Sequence, residues 1–167
     1  MINLYDIGLV LIENFLTEQE EIDIISCIPI SPNVHTKNRN SIRRYGSNIP
    51  YKNQMESDSI PPYLDILCTK IFDDGYLPIK PNSVSINEYL SGNSIAPHID
   101  SIESGETITI LSLLSEATMV FTKNDIKESI VIPSRSLIQL KNEIRYKWKH
   151  SILPVKSKRY SIVFRNG

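Results

Sequence analysis

Two metal-ligating side chains stand one residue apart in His98-Ile99-Asp100, and a second histidine, His150, follows later in the chain. Two histidines and one carboxylate can occupy one face of an octahedral metal and leave the opposite face open. That is the donor set of non-haem Fe(II) oxygen chemistry. In an extended segment side chains alternate with a period of two, so His98 and Asp100 point to the same side. His150 lies in the alternating run Lys147-Trp148-Lys149-His150-Ser151-Ile152, which reads as a strand. Neutral imidazole and carboxylate suit Fe(II), and the lack of an accompanying cysteine argues against structural zinc. His35, in a polar stretch, is expected at the surface or on the substrate side, with no metal role.

Such a centre needs an electron-rich cosubstrate. A dicarboxylate that chelates the metal must have its far carboxylate held, and arginine does this best, through two parallel charge-assisted hydrogen bonds. Arg159 and Arg165 share an alternating run with Ser161, so all three project to one face, while Tyr160, Ile162 and Phe164 fill the other. The competing reading is an edge strand with surface arginines. Asn87 and Tyr89 share a face of the run that leads into the metal motif. They can donate to a bound carboxylate, or form a satisfied polar pair on a sheet.

The elements that position these residues fall into two parts. Residues 9–12 read as a short strand. Thr17-Glu18-Gln19-Glu20 is a capping box. It opens a helix with Ile22, Ile25 and Ile28 on its apolar face, ended by Pro29 and Pro32. Residues 33–58 lack periodicity and read as a long polar loop or irregular hairpin, of a length that is commonly functional. A second helix is expected from Pro61-Pro62, behind Asp58 or Ser59, burying Leu64, Leu67, Cys68 and Ile71 and stopping near Gly75. From residue 83 onward short alternating or β-branched runs recur at 83–89, 107–114, 117–122, 129–132, 136–141, 147–153 and 159–165. Many short strands separated by turn residues indicate a sandwich or barrel.

At 167 residues the chain is expected to be a single domain. Residues 1–82 would form N-terminal helices and a recognition loop, and residues 83–167 the core. The longest apolar run near the N-terminus, Leu9 to Ile12, is too short to span a membrane, and no basic segment precedes it. Cys27 and Cys68 each fall in an apolar helical pattern and are expected as buried free thiols, consistent with a reducing, cytoplasmic location. The net charge of −1 argues against a generic nucleic-acid binder. Residues 1–26 nevertheless carry acids only, and residues 35–52 bases only: Lys37, Arg39, Arg43, Arg44 and Lys52. From Arg135 to Arg165 nine bases stand against the single acid Glu143. A fold that gathered the two basic groups would face an anionic partner; otherwise they form solvated edges.

These residues make up a longer pattern. Asn87-x-Tyr89-x-x-Gly92, His98-x-Asp100, Ser112-Leu113, Arg145-Tyr146-x-Trp148-x-His150 and Arg159-x-Ser161-x-x-x-Arg165, in that order, resemble the AlkB family of Fe(II)/2-oxoglutarate dioxygenases. The resemblance runs from residue 7 to residue 165. It implies a mainly β (α+β) double-stranded β-helix, or jelly roll, with two N-terminal helices packed outside it. It implies His98, Asp100 and His150 as ligands of Fe(II), Arg159 on the distal carboxylate of 2-oxoglutarate, and Asn87, Tyr89, Ser161 and Arg165 lining that pocket, with O2 as the oxidant. Arg43-Arg44-Tyr45-Gly46 resembles the family's nucleotide-recognition lid, which makes Arg43, Arg44 and Tyr45 expected substrate contacts. In the family, oxidation of an N-methyl group ends in demethylation, and on a carbon side chain the hydroxyl stays.

Repair members of the family commonly carry another acid just after the His-x-Asp. Here Ser101 and Ile102 follow. The texture of Ile95–Asp100 and Pro133–Leu137 is similar to the branch that hydroxylates the modified wobble uridine of tRNA. The expected partner is therefore nucleic acid, RNA (tRNA) before DNA. Alkylation-repair demethylation, or a protein or small-molecule substrate, is the alternative. Members of that branch add an RNA-recognition domain and a methyltransferase domain, neither expected within these residues, so a separate RNA-binding or methyltransferase partner is a further expectation. A monomer is expected.

Overall fold

The computed structural model describes residues 2–30, 41–47 and 58–166. A 3-10 turn leads into strand β1 (Leu9–Ile12). Gly8 joins them at φ +116°, where a Cβ would clash with the Lys141 carbonyl oxygen. Helix α1 (Glu18–Cys27) starts at the capping box read from the sequence. The Glu20 amide donates to Thr17 Oγ1 (3.1 Å), and the Thr17 amide donates to the Glu20 carboxylate (2.9 Å).

The face α1 buries is rotated from the expected one, with Ile25 and Ile28 packed against the core but Ile22 turned away. Ile24 is its buried residue and Ile22 is 59% exposed. Glu21 sets this rotation. Its carboxylate accepts from the Leu114 amide and the Ser134 hydroxyl, which holds Glu21 against the body of the protein and turns Ile22 outward. Cys27 is exposed for the same reason, against expectation, while Cys68 is buried, and burial pushes its thiol pKa up to about 12.

Strand β2 (Ser41–Gly46) lies inside the segment read as loop. It has no two-residue hydrophobic alternation, and backbone pairing to a neighbouring strand makes it a strand. Helix α2 (Pro62–Asp73) follows with Pro61 as N-cap and buries Leu64, Leu67, Cys68 and Ile71, as the periodicity requires. Gly75, at φ +83°, lies just past its end.

The rest is mainly strand: β3 (Ser83–Tyr89), β4 (Ile95–His98), β5 (Ile108–Leu113), β6 (Ala117–Lys123), β7 (Ile126–Ile132) and β8 (Ser136–Leu140). A short helix α3 (Asn142–Tyr146) intervenes before β9 (Lys149–Ile152) and β10 (Arg159–Arg165). The run read as a strand from residue 147 therefore begins two residues later, because the Lys147 amide closes α3 on the Glu143 carbonyl.

All ladders between these strands are antiparallel. They form a six-stranded sheet in the order β1-β8-β5-β10-β3-β2 and a four-stranded sheet in the order β4-β9-β6-β7, the two layers of a jelly roll. One apolar cluster, including Phe121, Ile138, Trp148 and Val163, fills the space between the sheets. A second packs Ile24, Leu64, Leu67 and Ile71 from the helices on Val84, Ile86, Ile162 and Phe164 of the larger sheet. Strand β3 is consequently buried at every residue. Its apolar Val84 and Ile86 face the helices, and Ser85, Asn87 and Tyr89 face inward. Among the described residues no helix is long and apolar enough to cross a membrane.

Truncating a side chain of the helix–sheet layer removes packing that cannot be replaced. Ile71→Ala, at a fully buried position, is expected to lower the unfolding free energy by about 2–5 kcal/mol in urea titrations. Ile66→Ala on the same helix, 68% exposed, should change it by less than ~0.5 kcal/mol.

Candidate active site

The ladder between β4 and β9 brings the two histidines together. His98 and His150 are cross-strand partners, their ring centroids 4.3 Å apart, and Phe121 of β6 flanks His150. Strand β4 ends at His98, so Asp100 belongs to the following loop. Its Oδ1 nevertheless lies 3.3 Å from His98 Nε2 and 3.5 Å from His150 Nε2. One ligand atom from each of the three residues falls within a 4.8 Å cluster. His98 Nδ1 lies 2.8 Å from the Ala96 carbonyl oxygen. The tautomer that donates there turns the Nε2 lone pair to the cluster, the usual way a ligating imidazole is oriented.

The protonation states suit a divalent cation. Burial, reinforced by the charge of His98, pushes the His150 pKa down to about 4, so its ring is neutral at pH 7. Burial alone would raise the Asp100 pKa. The neighbouring His98 side chain and the charge of Arg165 outweigh it and hold the carboxyl below the usual carboxylate range. A neutral His150 imidazole and an ionised Asp100 carboxylate suit Fe(II).

The two oxygens of Asp100 have separate partners. Oδ1 faces the histidines. Oδ2 accepts from Arg165 Nε (3.3 Å) and Nη2 (3.0 Å), and Arg165 Nη1 reaches Ser85 Oγ at 3.4 Å. Arg165 lines the cavity as expected, with its fork turned to the aspartate.

Arg159 is fully buried. Its Nε donates to Ser112 Oγ at 3.0 Å, and its guanidinium carbon lies 5.1 Å from the centre of the Tyr89 ring. Nη1 and Nη2 make no hydrogen bond of good geometry among the described residues, and the Tyr89 side chain is the group that offsets part of the cost of burial. Burial lowers the Arg159 pKa, yet a guanidinium stays protonated. A buried cation with two open nitrogens is costly unless an anion meets it. The fork has the geometry to take a carboxylate, and it lines the same cavity as the histidine cluster.

Asn87, Tyr89, Arg159, Ser161 and Arg165 share one cavity of about 390 Å³ with His98, Asp100 and His150. That volume lies within the range of small-molecule sites. Pairing across β10 explains the convergence: Arg159 stands opposite Tyr89, and Ser161 opposite both Asn87 and Ser112. Ser85 and Ser112, which hold the two arginines, went unassigned in the sequence. The signal was their place on the inward face of strands whose other face is apolar.

The remaining candidates are not brought together. Arg43, Arg44 and Tyr45 lie on β2, opposite Ile86, Ser85 and Val84. Cross-strand partners share a face. Tyr45 therefore packs against the helix-side core, and Arg43 donates to the Ile30 carbonyl on that side. Arg44 alone shares the inward face with Ser85, and none of the three lines the cavity. His35, Lys37, Arg39 and Lys52 lie outside the described residues. The C-terminal bases divide as well. Arg145 and Arg159 are buried, Arg135 donates to the Leu16 carbonyl, and Lys147, Lys149, Lys156 and Lys158 are exposed.

Comparison with known proteins agrees with this geometry. Residues 29–165 match the model of the 2OG-Fe(II) oxygenase superfamily. An uncharacterized protein of Acanthamoeba polyphaga mimivirus is 38% identical over 124 residues, 65% of this chain and 59% of that one. The tRNA (carboxymethyluridine(34)-5-O)-methyltransferase ALKBH8 of Mus musculus is 28% identical over 163 residues, 89% of this chain and 24% of that one. The chain thus spans less than two thirds of either relative. The structure of OsALKBH1 superposes with a TM-score of 0.69 at 17% identity, over 95% of this chain and 98% of the other. A Pseudomonas putida prolyl-4-hydroxylase superposes at 0.63 and 14%, over 98% and 95%. The superpositions establish the jelly-roll fold, and the family match carries with it Fe(II), 2-oxoglutarate and O2. The chain belongs to the 2OG-Fe(II) oxygenase superfamily of dioxygenases, and AlkB-type proteins are among its relatives.

Proposed function

We propose that this chain oxidises a modified base in nucleic acid, RNA in preference to DNA, with the tRNA wobble uridine as the favoured target. One observation supports the catalytic part above others: the buried Arg159 fork, with two open nitrogens, in the cavity that also receives His98, Asp100 and His150. In this reading those three residues hold Fe(II). Arg159 takes the distal carboxylate of 2-oxoglutarate, beside Asn87, Tyr89, Ser161 and Arg165. A metal held there would supply O2 activation, with one oxygen atom going to 2-oxoglutarate as it becomes succinate and CO2 and the other entering a substrate C–H bond as C–OH. Arg165 holds Asp100 by Oδ2 and so keeps Oδ1 directed at the histidines. Ile108, Ile110 and Met119 supply an apolar wall that keeps water away from the reacting centre.

The substrate reading rests on likeness to the mouse tRNA-modifying protein over 89% of this chain. It rests also on Ser101 and Ile102, where repair enzymes tend to carry an acid. Arg44, on the inward face of β2, is the described residue of the basic segment that we assign to phosphate contact. A base enters such a site unstacked, from a single strand or flipped out. Demethylation is the second reading. It is favoured by likeness to the DNA N6-methyl adenine demethylase of Caenorhabditis elegans, 26% identical over 96% of this chain and 60% of that one.

The test is turnover with Fe(II), 2-oxoglutarate and either tRNA or methylated oligonucleotides, following succinate, formaldehyde and nucleoside masses. Succinate that rises with tRNA and a nucleoside heavier by one oxygen supports wobble-uridine hydroxylation. Formaldehyde release points to demethylation, and turnover indifferent to any nucleic acid overturns the substrate reading. His98→Ala is expected to abolish turnover and Fe(II) binding. Arg159→Lys keeps the charge without the planar fork and should raise the KM for 2-oxoglutarate by about 10–100-fold.

A further inference from the structure

We infer that Arg145 is a positioning residue for the metal centre, clamping the loop that presents Asp100. The Arg145 side chain is 2% exposed and extends from α3 to the segment 100–105. Its Nη1 donates to the Asp100 carbonyl (2.9 Å), its Nη2 to the Ser101 carbonyl (2.7 Å) and its Nε to the Gly105 carbonyl (3.0 Å). One planar cation thus gathers three main-chain oxygens from a single loop.

The loop needs such a tie. Strand β4 ends at His98, so no ladder hydrogen bond fixes the backbone at Asp100. Arg165 grips the carboxylate of Asp100, and Arg145 grips its main chain. Gly105 turns the third carbonyl into place at φ +98°, where a side chain would be strained and a Cβ would meet the Asn166 carbonyl oxygen at 2.7 Å. Helix α3 immediately precedes β9, which carries His150. Arg145 therefore couples the loop holding one ligand to the segment holding another, without touching the ligand atoms. Ile99, Ser101 and Ser104 from the same stretch line the cavity, so the clamp also sets the wall on that side.

This inference rests on the reading that His98, Asp100 and His150 hold a metal, and the test separates the two. Mn(II) is the probe, titrated into the whole chain and followed by electron paramagnetic resonance, with no turnover needed. If the native chain takes up no Mn(II), the metal reading fails and this inference falls with it. If it does, Arg145→Gln is expected to weaken Mn(II) binding by about 10–100-fold with an unchanged far-ultraviolet circular dichroism spectrum. Arg145→Lys, which keeps the charge but cannot span three carbonyls, should recover only part of the loss. Arg135→Lys, at an arginine that donates instead to the Leu16 carbonyl, should bind Mn(II) as the native chain does. A folded Arg145→Gln chain with native Mn(II) affinity overturns the inference. Should Arg145→Gln fail to fold, Arg145→Lys decides. Native affinity in that variant, or its own failure to fold, makes Arg145 a support of the fold at large and overturns the clamp.

Discussion

Strands β3 and β10 are covered on both sides, and the site depends on that double burial. The helices α1 and α2 lie on one face of the larger sheet, and the smaller sheet lies across the other. Each strand then divides its side chains by parity. Val84, Ile86, Ile162 and Phe164 supply the apolar contact with the helices. Ser85, Asn87, Arg159, Ser161 and Arg165 go inward, where the space between the sheets opens into a cavity. Polar residues on the inward face of a strand would ordinarily be costly. Here the helix layer provides the hydrophobic stabilisation, which leaves the inner face free to hold groups that bind.

Two arginines hold Asp100 and a third lines the same cavity, and their partners differ. Arg145 meets three carbonyls, and Arg165 meets the carboxylate together with a serine hydroxyl. Arg159 meets one hydroxyl and keeps two nitrogens open in a buried place. In a low-dielectric interior, satisfied and unsatisfied polar groups differ sharply in energy. The two satisfied arginines hold structure, and the open one is the candidate anion-binding group. Asp100 is likewise divided, with one oxygen for the histidines and one for Arg165, which presents a single oxygen to the histidine cluster.

Much of this was legible in the chain. Strands β1, β3 and β10 occupy the expected spans, as does the buried face of α2, because each alternates or repeats with the period of its element. Asn87, Tyr89, Arg159, Ser161 and Arg165 reached one cavity because the parity of a strand is itself a sequence property, whereas Asp100 lies past the end of β4. The misses share a cause. Strand β2, the outward turn of Ile22, the exposure of Cys27 and the separation of Arg43 and Tyr45 from Arg44 were each decided by a partner distant in sequence. Backbone pairing with β3 placed β2 and split its side chains between two faces, and Glu21 bonding to Leu114 and Ser134 rotated α1.

By itself, the sequence determined which residues could be ligands and anion-binding groups, on which parity of which strand they stand, and the family to which that spacing belongs. These are local facts, set by side-chain chemistry and by the periods of helix and strand. Only the tertiary structure decided that His98 faces His150 across a ladder, that Asp100 is held although its strand has ended, and that Arg145 rather than a lysine of the same basic run reaches its loop. Those are distances between segments far apart along the chain. They follow from sheet register and layer packing, which no local pattern specifies.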